Sequence, residues 1–313
     1  MKLKLLLHVV HKVGTGAAGN YNLERFRQFM AVQRKGEGPL KLWPEEFKCA
    51  VVLSFDFDAE SDEVRTAPHK IVPMTKGQYG ANVGFDRIFT TLEDLSLPAT
   101  FFVPGWVAEN YPERTKEIYK RGFEVAGHGY LHEKVSELAL SAEKRVFKKS
   151  VDAVYKVIGQ KPVGYRAPWF DFSKHSFEFL SQVGYEYDSS LMSQDLPFFV
   201  KQPGSKAKPL LELPVEWCLD DWPAFEMFRK PPREVREIWQ AEFDGFYSEG
   251  LLMVLTMHPE CIGRASRISM FADFARYMKS KGGVWFTTGA ELSKWWRTTH
   301  ADEPAKELKP RTR

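Results

Sequence analysis

The run Cys49-Ala-Val-Val-Leu-Ser-Phe-Asp-Phe-Asp58 decides the reading of this chain. Its apolar first half has the length and composition of a buried strand, and its end delivers two carboxylates to a rim. A second apolar segment, Phe123 to Ala126, runs into Gly127-His-Gly-Tyr-Leu-His132, with two imidazoles four residues apart. One carboxylate with two imidazoles suits zinc or a similar first-row ion, and a catalytic site keeps a fourth position for water. Asp58, His128 and His132 are read as that ligand set, which leaves Asp56 as a general base. Taken singly, each signal has a plainer explanation: an Asp-x-Asp at a strand end often only starts a polar loop, and paired histidines occur on solvated faces. Together, each at the end of a strand-like segment, they point to a site.

Working outward, Gly164-Tyr-Arg-Ala-Pro-Trp169 places a permanent cation, a rigid proline and a large aromatic in one loop, as expected where a carboxylate is oriented and a pocket is walled. Leu251 to Thr256 is another apolar strand, running into Met257-His-Pro-Glu260 and then Arg264 and Arg267. His258 therefore faces the same rim and is read as a general acid. Trp169, Tyr130, Trp222 and Arg264 are expected to contact substrate, with Tyr79, Trp106 and Trp217 as further rim aromatics. Asp220 and Asp221 both fall where a carboxylate would orient His258 or Arg166, and the sequence does not choose between them.

In this order the motifs resemble the polysaccharide deacetylase family, also called the NodB-homology or carbohydrate esterase 4 group, over about Lys48 to Trp296. Ser54-Phe-Asp-Phe-Asp58 is similar to the family's T-F-D-D-G, His128 and His132 to its H-x3-H, Arg166, Pro168 and Trp169 to its R-x-P plus aromatic, and His258 to its late catalytic histidine. The resemblance implies that Asp56 is the base, that Asp58, His128 and His132 bind one divalent metal, that Arg166 holds the base, and that His258 is the acid. It also implies an oxyanion donor in the backbone N–H near Trp169. Zinc is the first choice of metal, with cobalt or manganese as alternatives. Phe57 between the aspartates and Ala59 in place of glycine depart from the pattern. With His-Gly-Tyr-Leu-His-Glu and His-Pro-Glu-x-x-Gly-Arg, they look like a side branch of peptidoglycan-deacetylase-like proteins and cyclic imide hydrolases, a metal-independent allantoinase being a more distant relative.

The expected architecture is α/β, a distorted (β/α) barrel with mainly parallel strands. Strands are predicted at 51–55, 100–103, 123–126, 211–215, 251–256 and 284–287. Helices are predicted at 85–95, 142–158, 176–183, 233–247 and 269–281, the last closed by Gly282-Gly283. A polar loop is expected at 201–209. The chain divides into an N-terminal extension (1–40), a catalytic domain (41–297) and a charged, disordered tail (298–313).

With 44 basic and 41 acidic residues, the net charge of +3 is too balanced to suggest a nucleic-acid partner. Cys49, Cys218 and Cys261 lack the number and spacing of a disulfide framework or a zinc ribbon. The start Met1 to Val10 has an apolar core too short for an export signal, and no stretch approaches the ~20 residues of a membrane span, so a cytoplasmic location and no membrane partner are expected. A homo-oligomer is compatible with the sequence. The expected activity is hydrolysis of a non-peptide C–N bond by metal-activated water, Asp56 taking the proton and His258 protonating the nitrogen. A cyclic imide or related small amide is the favoured substrate, with Arg264 or Arg267 steering it. The alternatives are N-deacetylation of an N-acetylated sugar polymer such as peptidoglycan, a catalytically silent binding paralogue, an iron oxygenase using the same ligand set, and a metal-independent hydrolase.

Overall fold

The computed structural model describes residues 42–44 and 46–308; the expected N-terminal extension lies outside them. The quoted run forms β1 (Cys49–Asp56), and all eight of its residues are buried. A strand buried on both faces reads as a continuous apolar run, which is why this one is legible. Around it lie β2 (Thr100–Val103), β3 (Glu124–Gly127), β4 (Gly164–Tyr165), β5 (Tyr187–Asp188), β6 (Phe198–Lys201), β7 (Leu210–Glu212), β8 (Leu252–Met257), β9 (Val284–Thr287) and β10 (Lys306–Glu307).

The strand order is β10-β6-β7-β5-β4-β3-β2-β1-β8, and β9 also pairs with β1. One edge of β1 is taken by β8 from Ala50 to Phe55. The other is shared: β9 pairs with residues 49–52 and β2 with residues 54–56. The described pairings are parallel except for β6 with β7. An isolated parallel bridge, Asp220↔Thr256, ties the chain after β7 to β8 and curls the sheet into the distorted barrel expected from the alternating pattern. Parallel strands with one direction of crossover bring their C-terminal ends to one face. Asp56, Gly127, Tyr165, Asp188 and Met257 are the last residues of their strands, so this face is where the chemistry-bearing motifs emerge.

The helices expected at 85–95, 142–158, 176–183, 233–247 and 269–281 are present as Phe85–Asp94, Leu140–Ile158, Ser176–Val183, Pro232–Glu249 and Ala265–Ser280. Each of the 140–158, 176–183 and 232–249 helices ends on a glycine in the left-handed conformation, the usual helix stop. Phe55, Phe57, Phe85, Phe89, Phe101 and Phe123 are buried together in the main core, with Phe57 and Phe85 ring centroids 4.4 Å apart. The tail differs from expectation: the helix Gly289–Thr299 covers its start, and Lys306–Glu307 pairs in parallel with Val200 and Lys201. Main-chain pairing at a sheet edge needs no apolar side chains, and both residues of β10 are exposed.

Close approach inside the barrel depends on Gly164. It lies opposite Tyr187, and a Cβ there would come 2.0 Å from the tyrosine Cζ, deep in the sheet. Gly164→Ala is expected to lower stability by about 1–3 kcal/mol through overpacking. A urea midpoint unchanged from that of the parent protein would contradict this packing argument. Among the described residues, no helix is long and apolar enough to cross a membrane.

Candidate active site

Asp56 and Asp58 leave β1 on the same side because Phe57, between them, is fully buried in the aromatic core. The inserted phenylalanine that breaks the family pattern is thus an anchor that turns both carboxylates toward the barrel mouth. Arg166, which follows β4, is wholly buried beneath them. Its Nη1 donates to Asp56 Oδ1 (2.7 Å) and to Ser54 Oγ (2.9 Å), its Nε to Ser189 O (3.0 Å) and its Nη2 to Ser189 Oγ (3.1 Å). A charged group this deep requires such a complete set of partners. Asp56 is therefore locked in one orientation by a cation, with its Oδ2 left to face the histidines.

Asp58 faces both histidines of the paired motif: Oδ1 lies 3.4 Å from His128 Nε2 and Oδ2 3.3 Å from His132 Nε2. His128 Nδ1 donates to the Arg166 carbonyl (2.8 Å), which leaves the Nε2 lone pair turned inward. One ligand atom from each of Asp58, His128 and His132 falls within 4.8 Å of the others. Asp58 Oδ1 is buried with no hydrogen-bond partner. A buried, unpartnered carboxylate oxygen beside an inward-facing imidazole nitrogen is what a cation requires, so the donor set fits a metal ion. Burial alone would raise the Asp58 carboxyl, but His132 and His128 outweigh it and hold it below the usual carboxylate range. Burial lowers His128 toward its neutral, ligating form. His132 is opposed by burial yet held up to about 10 by Asp58 and Asp62.

His258 follows β8 and lies across from this cluster. Its Nδ1 donates to Asp221 Oδ1 (2.7 Å) and its backbone N–H to Asp221 Oδ2 (3.1 Å). Asp221 is thus the carboxylate that orients the histidine, whereas Asp220 Oδ1 stands 3.8 Å from Nδ1 and accepts from the Trp222 N–H. The imidazole Nε2 is left 4.0 Å from Asp56 Oδ2 and 3.8 Å from Asp58 Oδ2. Burial disfavours charge on His258, but Asp221 first, then Asp220 and Asp58, carry it well above the ordinary histidine value.

A cavity of about 480 Å³ opens over these groups, with Asp56, Asp58, His128, His132 and His258 along its floor. Trp169, Phe170, Trp217, Trp222, Met227 and Phe228 contribute to its walls and rim. Ala59, His132, Trp169 and Phe170 border the cavity with positive φ (45°, 54°, 60° and 51°). Each such non-glycine residue costs on the order of 1–3 kcal/mol and tends to persist where side chains must be aimed for function. The wall segment 222–228 includes a π-helical turn, Pro223–Met227, fastened by Lys76: its ammonium lies 2.6 Å from Glu226 Oε2 and 3.8 Å from the Trp222 ring centroid.

Several expected substrate contacts are placed elsewhere. Tyr130 does not line the cavity; its hydroxyl donates to Glu109 and Lys149 covers its ring. Arg264 stacks on Tyr79 at 3.5 Å and Arg267 is paired with Glu226 at 2.7 Å, and neither lines this cavity. Tyr79 and Trp106 are also absent from its lining, whereas Trp169 and Trp222 belong to it. Asp62 and Glu63, which carried no motif of their own, line it as well, as does Glu260 of the His-Pro-Glu motif, to which no role was given.

Comparison with known proteins follows the same lines. The polysaccharide deacetylase family model matches residues 70–187. A peptidoglycan deacetylase from Helicobacter pylori is 30% identical over 251 residues, covering 70% of this chain and 86% of the relative. A solved structure from Mycobacterium smegmatis assigned as a polysaccharide deacetylase is 33% identical, covers 86% of this chain and 97% of its own, and superposes with a TM-score of 0.80. An allantoinase (Puue) shares the fold at 20% identity and a TM-score of 0.77. The chain belongs to the polysaccharide deacetylase family. It is a hydrolase acting on carbon–nitrogen bonds other than peptide bonds.

Proposed function

We propose that this protein opens a small, uncharged cyclic imide or related ring amide, using a divalent metal held by Asp58, His128 and His132. The observation that carries the substrate choice is the cavity itself. Its volume of about 480 Å³ suits a small molecule, and its walls are aromatic and apolar. Its charged wall residues other than the floor are acidic apart from Lys76, whose ammonium is taken by Glu226, so an anionic substrate is disfavoured. Residues 41–297 form the catalytic unit in this reading.

A zinc-like ion, when bound, would supply Lewis acidity toward a carbonyl oxygen and a water of lowered pKa. Asp56, held by Arg166, accepts the proton of the attacking water. His258 hands its Nε2 proton to the departing nitrogen, while Asp221 holds the ring at Nδ1. The N–H at Trp169, in its left-handed turn, supplies a backbone donor to the developing oxyanion. The products are a carboxylate and the amide or amine end of the opened ring.

A second reading, N-deacetylation of a glycan, is favoured by the identity with the Helicobacter pylori peptidoglycan deacetylase. Metal-loaded protein given succinimide, hydantoin, N-acetylglucosamine oligomers and peptidoglycan separates the two. Ring opening at a kcat/KM on the order of 10⁴ M⁻¹ s⁻¹ is expected. Acetate released from the polymers with no ring opened would establish the second reading instead.

A further inference from the structure

Glu260 lies two residues beyond His258, is 3% exposed and borders the cavity. Its Oε2 is buried with no hydrogen-bond partner. The space it occupies is made by Gly80 in a π-helical turn (Gly80–Gly84), where a Cβ would stand 2.9 Å from both Oε2 and the Glu260 nitrogen. A close-packed glycine therefore seats a carboxyl group whose Oε2 has no hydrogen-bond partner, beside the groups that carry the chemistry. A buried polar group left unpaired is destabilising, a cost that a bound ligand with a matching edge relieves. Asp62 is paired with Arg65, Asp56 with Arg166 and Asp221 with His258, so Glu260 differs from these cavity and support carboxylates.

Resting on the ring-hydrolase reading, we propose that Glu260 is the residue that selects a ring: its carboxyl group pairs with the N–H and second carbonyl of a cyclic imide while the first carbonyl is attacked. The selectivity follows from amide geometry. A small ring forces the amide cis, so N–H and C=O emerge on one edge and meet one carboxyl group. An open-chain secondary amide is trans, and places them on opposite sides. A protonated carboxyl presents a donor and an acceptor side by side, the complement of that edge. Burial pushes the Glu260 carboxyl up, with His258 opposing and Asp58 and Asp221 adding to the rise, which favours the proton-bearing form.

The test compares kcat/KM for succinimide with that for N-methylsuccinimide, which lacks the N–H, in metal-loaded full-length protein. The ratio within each variant is independent of the active fraction. It is expected to fall about tenfold or more in Glu260→Leu and in the volume-matched Glu260→Met. Glu260→Gln is expected to retain most of it, because a carboxamide offers the same donor and acceptor pair. An unchanged ratio in the Leu and Met variants, or a Gln variant that behaves like them, overturns the role of Glu260 and leaves ring hydrolysis standing. Failure of the parent protein to open either ring overturns both.

Discussion

His132→Ala is expected to empty the metal site and to remove at least about 10³-fold of the turnover, because a three-ligand site has no spare donor. Asp58→Asn is expected to behave similarly, since the carboxylate whose Oδ1 has no hydrogen-bond partner is the anionic member of the set. Asp56→Asn should differ in kind. It should keep the metal and lose about 10²- to 10⁴-fold in kcat, the usual contribution of a general base. It also removes the countercharge of a wholly buried Arg166, so it should cost stability, roughly 3–5 kcal/mol if the pair is broken outright. Metal content by elemental analysis, turnover with and without added zinc, cobalt or manganese, and a denaturation midpoint separate these effects. Equal metal loss in the two aspartate variants, or a metal-free parent protein at full activity, would refute the division of labour between Asp56 and Asp58.

The elements that sequence made legible are those whose environment is uniform along their length. β1 and β2 are buried throughout, and the helix Leu140–Ile158 buries one stripe, so their patterns survive without knowledge of the fold. β4 and β5 have two residues each, too few for any periodicity, although Arg166 and Ser189 are aimed by them. The convergence of Asp58, His128, His132 and His258 was readable because each motif sits at a strand end, and parallel topology gathers such ends. Direction within a loop was not readable. Tyr130 lies between His128 and His132 yet turns toward Glu109, while Phe170, beside Trp169, faces the cavity through a left-handed backbone. The choice between Asp220 and Asp221 needed the bridge from Asp220 to Thr256, a contact between distant segments. Glu260 stood in the His-Pro-Glu motif without a role of its own; its setting is made by Gly80, far away in the chain.

Asp221→Asn should show whether His258 works as a positioned acid. Asp221 accepts two hydrogen bonds from this one residue, at Nδ1 and at the backbone N–H. A carboxamide has one acceptor oxygen, so one bond must be lost, or the ring must take the tautomer with its proton on Nε2 and no charge. Burial pulls the imidazole down, and in the parent protein Asp221 is the main influence raising it. Activity that depends on protonated His258 is present below its folded pKa and is lost as pH rises through that value. Removing the Asp221 charge lowers the value, so the basic limb of the kcat profile should move to lower pH. At neutral pH kcat should fall about 10²-fold or more, with metal content intact. Asp220→Asn, whose carboxylate is 3.8 Å from Nδ1 and bonded to Trp222, should move the limb less. A basic limb that stays in place in Asp221→Asn but shifts in Asp220→Asn would transfer the supporting role to Asp220. A limb that moves in neither would mean that the proton reaches the leaving nitrogen from a group other than His258.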